Sequence, residues 1–349
     1  MYVLLLHLSR VPEHPPVPPN WLAHFVLLGH TGVTLFFVIS AFTLASSMKS
    51  RSKGPPSLFS FYLRRFFRIA PLCYFWLAIL GPNLGLSWKV FGINLAFLYN
   101  LFPSAQQGIV WASWTLSVEM IFYLIFPFLF RVFDTWKKTL LLFFITVALA
   151  GTFEALLNRT NLGSKARDEY FTFHVLHHIQ SFAFGMFCFF IHDTFGETIL
   201  KRRLGVYLLI GAFVTFALFF FGFLSFYPDD IFWRTIIYGL LLLGLLACPV
   251  RPFVNRVTCF YGRISYSLYL NHPFLLFKLS FVFTVIAGLG GSQTLLFLLS
   301  CMLAFLVITP CACVTYVLIE EPGVRFGNWL IKRKNSAVAA TETVIATSP

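Results

Sequence analysis

Long apolar runs broken by short polar segments recur along the whole chain, and each is about as long as a helix needs to cross about 30 Å of hydrocarbon. They fall near residues 1–12, 29–48, 66–83, 110–131, 139–153, 171–192, 204–224, 231–250, 264–287 and 294–319, which predicts ten helices. The stretch 88–103 is also apolar, but it is short and carries Asn94 and Asn100, so it reads as a partly inserted or re-entrant element rather than an eleventh span. The first run is unusually short. Only about six apolar residues precede His7, where a span needs about twenty. No basic n-region or Ala-x-Ala-like site precedes the next run, so a signal peptide does not fit. The expectation is a first helix that is truncated, or short and supported by its neighbours.

Composition agrees with this pattern. With 58% hydrophobic and 11% charged residues, 349 residues carry too little polar surface for a soluble domain. The fold class is therefore all-α, a polytopic membrane helical bundle. Residues 1–334 form its single transmembrane domain, and residues 335–349, with little to bury, are expected to be a disordered cytoplasmic tail.

Charge sets the predicted orientation, because Lys and Arg near span ends stay on the cytoplasmic side. Ten spans place together Lys49, Arg51, Lys53, Arg64, Arg65 and Arg68, then Arg131, Lys137 and Lys138, then Lys201, Arg202 and Arg203. Arg251, Arg256 and Arg263 continue the series, as do Arg325, Lys332, Arg333 and Lys334. Arg10, Lys89, Arg159, Lys165, Arg167, Arg234 and Lys278 fall elsewhere. Both termini are thus predicted to be cytoplasmic. The net charge of +13 reads as topology and contact with anionic membrane lipid, with no nucleic-acid partner.

The seven cysteines lie in or beside apolar runs without a Cys-x-x-Cys pair, and they read as small core residues. Cys311 and Cys313 would point well apart on a helix, which argues against a disulfide or metal there. His174, His177 and His178 could share one helical turn, with Asp168 and Glu169 nearby, yet interfacial structure or substrate contact is the preferred reading and no metal is assigned. Asn158-Arg-Thr160 is a glycosylation triplet of a kind that is common by chance.

The segment Trp114-Thr-Leu-Ser117-Val-Glu119-Met-Ile-Phe-Tyr123-Leu-Ile-Phe-Pro127 places one carboxylate inside a membrane-grade apolar run. A charge at the centre of a membrane helix costs about 2.5–3.5 kcal/mol on insertion scales, so Glu119 is expected to face a polar interior. Four other segments also combine polar groups with apolar context: Gly32 to Phe42, Phe61 to Pro71 with Arg64, Arg65 and Arg68, Gly262 to Pro273 with Tyr266, Tyr269 and His272, and Leu318 to Pro322 with Glu320. In this order the five segments closely resemble the type 3 family of integral-membrane acyltransferases, over about His7 to Pro322.

The resemblance implies enzymes that O-acetylate lipopolysaccharide, capsule and other surface glycans in the bacterial cytoplasmic (inner) membrane. It implies a first helix with an Arg, ten intervening residues and a His that acts as base. His7 takes the His position and the Arg would fall before residue 1. It also implies that Arg65-Phe-Phe-Arg68 matches a cytoplasmic Arg-x-x-Arg motif, while Ser40-Ala41 replaces the Ser-Gly of many members. The metal-free chemistry of the family agrees with assigning none here.

The chemistry required is independent of any family. A sugar hydroxyl attacking a thioester must lose its proton, and histidine suits that task near neutral pH. His7 and Glu119 are the expected catalytic pair, with Glu119 orienting the imidazole or binding the acceptor. Arg64, Arg65 and Arg68 match the phosphates of acyl-CoA, most simply acetyl-CoA, which is a co-substrate rather than a bound cofactor. Trp114, Ser117, Tyr123, Tyr266, Tyr269 and His272 are the candidates for substrate contact. No base or nucleophile elbow supports Ser117 as a nucleophile, so direct transfer is preferred. A structural ion pair with Arg325 is expected for Glu320. The predicted function is O-acyl transfer from cytoplasmic acyl-CoA to a carbohydrate or lipid-linked surface glycan. A transporter of an acyl group or lipid-linked sugar, or an inactive family relative with a scaffolding role, are the competing readings.

Overall fold

The computed structural model describes residues 1–50, 57–85, 87–197, 202–224 and 230–346, so Arg51, Lys53 and Lys201 of the charge series lie outside the described residues. Among these residues there is no strand. The helices run in the order α1 (Tyr2–Leu8), α2 (Asn20–Leu27), α3 (Gly32–Ser50), α4 (Leu58–Leu80), α5 (Trp88–Leu95), α6 (Trp114–Val132), α7 (Trp136–Leu157) and α8 (Ser164–Phe173). They continue as α9 (Val175–Phe195), α10 (Arg202–Phe220), α11 (Asp230–Ala247), α12 (Arg256–Arg263), α13 (Ser265–Lys278), α14 (Ser280–Gly288), α15 (Gln293–Thr315) and α16 (Glu321–Ala346). Helix α16 thus passes through most of the stretch that composition reads as a disordered tail.

Six helical segments among the described residues are long and apolar enough to cross a membrane: Asn20–Ser50, Trp114–Val132, Trp136–Leu157, Ser164–Phe195, Asp230–Ala247 and Gln293–Ser336. Helices α13 and α14, bent by 58° at Leu279, make a seventh if they count as one span. Seven of the ten expected runs correspond to these segments. The other three differ for separate reasons. The first run forms only the seven-residue α1. Helix α4 has 23 residues but carries Arg64, Arg65 and Arg68 in its first half, and the apolar part of α10 is confined to Leu204–Phe220.

Side chains at the helix starts satisfy N–H groups that have no partner within the helix. Ser57 opens α4, Thr135 opens α7 and Ser292 opens α15. The interior is largely aromatic. Phe182 of α9 lies between Phe37 of α3 and Phe122 of α6, with ring centroids at 4.6 and 4.1 Å. Helices α3 and α9 approach closely at Gly185, where an added Cβ would lie 2.3 Å from the Val38 carbonyl oxygen. Small residues at such crossings let membrane helices pack backbone to backbone.

A second core fixes α1. Leu4 and Leu8 bury themselves with Leu276, Phe297 and Ile308 of α13 and α15. Gly29 admits the helix from the other side, since a Cβ there would stand 2.7 Å from the Tyr2 carbonyl oxygen. A helix too short to be stable alone is thus held by packing on two sides.

The segment 88–113 is partly helical and partly irregular, and its two asparagines serve its backbone. Asn94 Oδ1 accepts from the Ile109 N–H at 2.9 Å. Asn100 donates to the Phe173 carbonyl at 2.6 Å and accepts from the Val175 N–H at 2.7 Å, which also bridges the break between α8 and α9. Irregular backbone inside a bundle survives only with such internal partners. Six of the cysteines are buried or half-buried, as expected, while Cys259 on α12 is exposed.

One ion pair ties α4 to the end of the chain. A π-helical turn, Tyr316–Glu320, joins α15 to α16 and turns Glu320 inward, where Arg68 binds one carboxylate oxygen and Ser267 donates to the other at 2.6 Å. The expected partner, Arg325, instead binds Glu321 one turn away on α16 at 2.8 Å. Arg325 follows Glu321 by four residues on a solvated helix face, whereas Glu320 is fully buried beside α4.

This packing gives three stability predictions, each read by denaturant titration. Gly185→Leu forces α3 and α9 apart and should cost about 1–3 kcal/mol in detergent-solubilised protein. Gly92→Ala, with nothing within 4 Å of its added Cβ, should be neutral or slightly stabilising by the same denaturant titration. Arg68→Gln leaves the Glu320 carboxylate without its cation. Because 39% of the Arg68 side chain is exposed, the loss should fall in the range of about 1–3 kcal/mol. The double variant with Glu320→Gln should recover much of it, and a loss in the double variant equal to the sum of the two single losses would show that the pair contributes no coupling.

Candidate active site

His7 sits on the last turn of α1, and its Nδ1 lies 2.6 Å from Nε2 of His272, a residue of α13 that is 265 positions away. The two rings are nearly coplanar, with 5° between their planes. The second nitrogen of His272, Nδ1, lies 2.6 Å from the Tyr269 carbonyl oxygen. A carbonyl only accepts, so this nitrogen carries the proton. Neutral His272 then offers Nε2 as an acceptor, and His7 must donate from Nδ1. In a neutral His7 the remaining lone pair is on Nε2. These tautomers are assigned from the hydrogen-bond partners.

The histidine pair stands in the wall between two cavities. The smaller, about 270 Å³, extends from Gly262 of α12 along α13 through Tyr266, Tyr269 and His272, and is also lined by Val3 and Val33. The larger, about 540 Å³, is lined by His7, Arg10, Trp111, Trp114, His178 and Arg234 among others, at the end of the bundle where α3, α6, α9 and α11 begin. Tyr269, Val3 and Val33 line both. A third cavity of about 490 Å³, largely apolar, shares Arg10 and Trp111 with the larger one and continues past Trp76, Phe274 and Phe277.

Backbone geometry shapes the wall. Ala112 has φ +67°, a conformation that costs a residue with a Cβ and persists only when its surroundings hold it. Tyr269 donates to the Ala112 carbonyl at 2.8 Å and accepts from Thr115 at 3.1 Å. This clamp presents Trp111 and Trp114 on either side of Ala112, and the His7 ring lies 4.6 Å from Trp111.

The structure brings some of the expected residues together and separates others. His7, Trp114, Tyr269 and His272 meet around the two cavities, and Tyr266 lines the smaller one while donating to the Ile69 carbonyl at 2.6 Å. Glu119 is buried on α6, but its partners are Ser40, at 2.7 Å, and Tyr123, and the imidazole of His7 is paired with His272 instead. Arg65 lies over the Tyr123 ring, 5.9 Å from its centroid, so α3, α4 and α6 share this polar group. Arg68 is engaged by Glu320, and Arg64 flanks the same turn of α4. Ser117 donates to the Phe97 carbonyl at 2.6 Å and accepts from the Asn100 N–H at 3.2 Å, which holds Phe97 at φ +56°.

His177 and His178 both contact the Thr172 carbonyl and line the larger cavity, whereas His174 stacks on Phe153 and caps α9. No three His, Cys, Asp or Glu side chains among the described residues converge in a way that could hold a metal. Sequence reading did not single out Arg10, His30, Asp230 or Arg234 as site residues. The available signal was the misfit of Arg10 and Arg234 to the charge pattern, in or beside apolar runs.

Comparisons with known proteins bear on this arrangement. The family model of an acyltransferase domain, the type 3 family named from the motifs above, matches residues 1–317. The chain is 28% identical over 326 residues to the exopolysaccharide production protein ExoZ of Rhizobium meliloti (strain 1021), covering 87% of this chain and 92% of that one. It is 33% identical over 122 residues to the acyltransferase MdmB of Streptomyces mycarofaciens, which spans 32% of this chain and 30% of that relative. Nodulation protein 10 of Rhizobium leguminosarum bv. viciae is 27% identical over 147 residues, covering 35% and 39%. No solved structure matches the chain. With a matching domain that runs from its first residue to the end of α15, the chain belongs to the type 3 acyltransferase family.

Proposed function

We propose that this protein transfers an acyl group, acetyl in the simplest case, from cytoplasmic acyl-CoA to a hydroxyl of a carbohydrate or lipid-linked glycan. The observation that carries this reading is the His7–His272 pair set in the wall between two cavities. One cavity can admit the thioester arm and the other the acceptor, so donor and acceptor meet at one imidazole without crossing the whole bundle.

In the proposed reaction Nε2 of His7 takes the proton of the acceptor hydroxyl as its oxygen attacks the thioester carbonyl. The new C–O bond forms, the C–S bond breaks, and the proton passes to the departing thiolate. His272, held by the Tyr269 carbonyl, fixes the His7 tautomer and ring direction, the orienting role that sequence reading gave to Glu119. Trp111 and Trp114 supply faces on which a sugar ring can stack.

Arg64 and Arg65 remain the residues proposed to meet the phosphates of coenzyme A, with Arg68 shared with Glu320. Glu119, joined to Tyr123 beside Arg65, belongs in this reading to the donor side. That side is cytoplasmic if the charge pattern sets orientation, which puts both termini in the cytoplasm, and the family resemblance supports a bacterial inner membrane. The apolar cavity that meets the acceptor site at Arg10 and Trp111 suits the tail of a lipid-linked glycan. ExoZ, named for exopolysaccharide production, aligns over most of both chains and supports a glycan acceptor.

The test is release of free coenzyme A by purified protein in membrane mimic, with acetyl-CoA as donor. His7→Ala should lower turnover by about 10²–10⁴. His272→Phe, which removes the acceptor for the His7 N–H, should lower kcat with little change in the KM for acetyl-CoA. Turnover that survives His7→Ala would exclude this mechanism. Acyl or glycan flux without release of coenzyme A would favour a transporter.

A further inference from the structure

The larger cavity holds charge that the proposed proton transfer does not use. Arg234 of α11 is 7% exposed, deep for a guanidinium. Its neighbour one turn earlier, Asp230, binds a single terminal nitrogen, and the Nε–H of Arg234 is buried without a hydrogen-bond partner. Arg10 follows His7 by one turn and lines the same cavity, and none of the ion pairs among the described residues involves it. Among the described residues Asp230 is the one carboxylate lining this cavity. It is half-exposed and is already shared with His30, whose Nε2 lies 4.0 Å away. Among the described residues two guanidinium groups therefore face one carboxylate in a space walled by Trp111 and Trp114.

A buried arginine with an unused donor is costly unless something satisfies it. Excess positive charge beside aromatic faces is suited to a sugar that bears an anion, because the ring stacks while the guanidinium forks bind the oxygens in pairs. We propose that Arg234 and Arg10 form an oxyanion subsite for the acceptor, so the glycan acylated here carries a carboxylate or a phosphate close to the reacting hydroxyl. The proposal rests on the acyl-transfer reading above for the identity of the cavity as the acceptor site. It adds the chemical class of the acceptor. A sugar carboxylate and a phosphate that links sugar to lipid offer the same oxygens to the subsite.

The test compares three probes by isothermal titration with the full-length protein in lipid nanodiscs: methyl β-glucuronide, glucose 1-phosphate and methyl β-glucoside. At least one charged probe should bind tenfold or more tightly than the neutral glucoside. A preference for the glucuronide alone assigns a sugar carboxylate, and a preference for glucose 1-phosphate alone assigns a linking phosphate. The preference should vanish in Arg234→Gln, persist in part in Arg234→Lys, and weaken in Arg10→Gln, an exposed position where misfolding is not a concern. Equal binding of all three probes, no binding of any, or a charge preference that survives both glutamine variants would overturn the subsite. Release of coenzyme A that depends on His7 tells the two claims apart. If it holds while the charge preference fails, only the subsite falls.

Discussion

A polar side chain enclosed in a membrane bundle must find its partner within the protein, because hydrocarbon offers none. That requirement organises this molecule more than any single apolar contact does. Glu320 is fully buried and is held by Arg68 and Ser267. Glu119 is held by Ser40 and Tyr123, and Trp76 donates to Asn271, which in turn donates to Thr315. Apart from Glu119–Tyr123 within α6, each link joins elements that are distant in the chain, so the polar network acts as a set of register pins between elements whose apolar surfaces could slide.

The same requirement explains how a seven-residue helix can carry a candidate catalytic group. Helix α1 cannot define a rigid position alone. Leu4 and Leu8 anchor it in the second core, Gly29 allows close approach, and the bond from His7 to His272 fixes its far end. The irregular backbone around Phe97 and Ala112 is stabilised in the same way, by Ser117, Asn94, Asn100 and Tyr269. Ser117, a candidate for substrate contact in the sequence, also holds the non-helical wall beside the cavity.

Much of the all-helical architecture was legible from the apolar runs, since membrane helices advertise themselves by length and composition. The motif residues that gather at the site, His7, Trp114, Tyr266, Tyr269 and His272, were also marked by their polarity in apolar context. Pairings were not legible. His7 and His272 are 265 residues apart, and no periodicity links them. Glu320 has Arg325 five residues away, yet a π-helical turn rotates it toward α4 and Arg68. Such a turn leaves no composition signal, so a local ion pair was the natural but incorrect expectation. The spacing of Gly323 and Gly327, which seats α16 against Phe67 and Pro71 of α4, is a small-residue pattern used here within one chain. The count of ten spans exceeds the six or seven long apolar helices because α1 is short, α4 is charged and α10 is brief.

Two cavities that share the walls Tyr269, Val3 and Val33 resolve a difficulty for the proposed reaction. A thioester donor and a glycan acceptor arriving from opposite sides need a meeting point that is closed to free passage of water, or hydrolysis competes with transfer. In that reading the shared wall is the meeting point, since His7 lines the larger cavity and His272 the smaller. The His7 imidazole faces the larger cavity while its partner, anchored to a backbone carbonyl, holds it from the other side. In the proposed reaction α1 contributes the base and one face of the partition, and α13 contributes the orienting histidine and Tyr269. Movement of α1 against α13 would therefore disrupt proton transfer and the separation of the cavities together, which couples the chemistry to the packing of the shortest helix at the site.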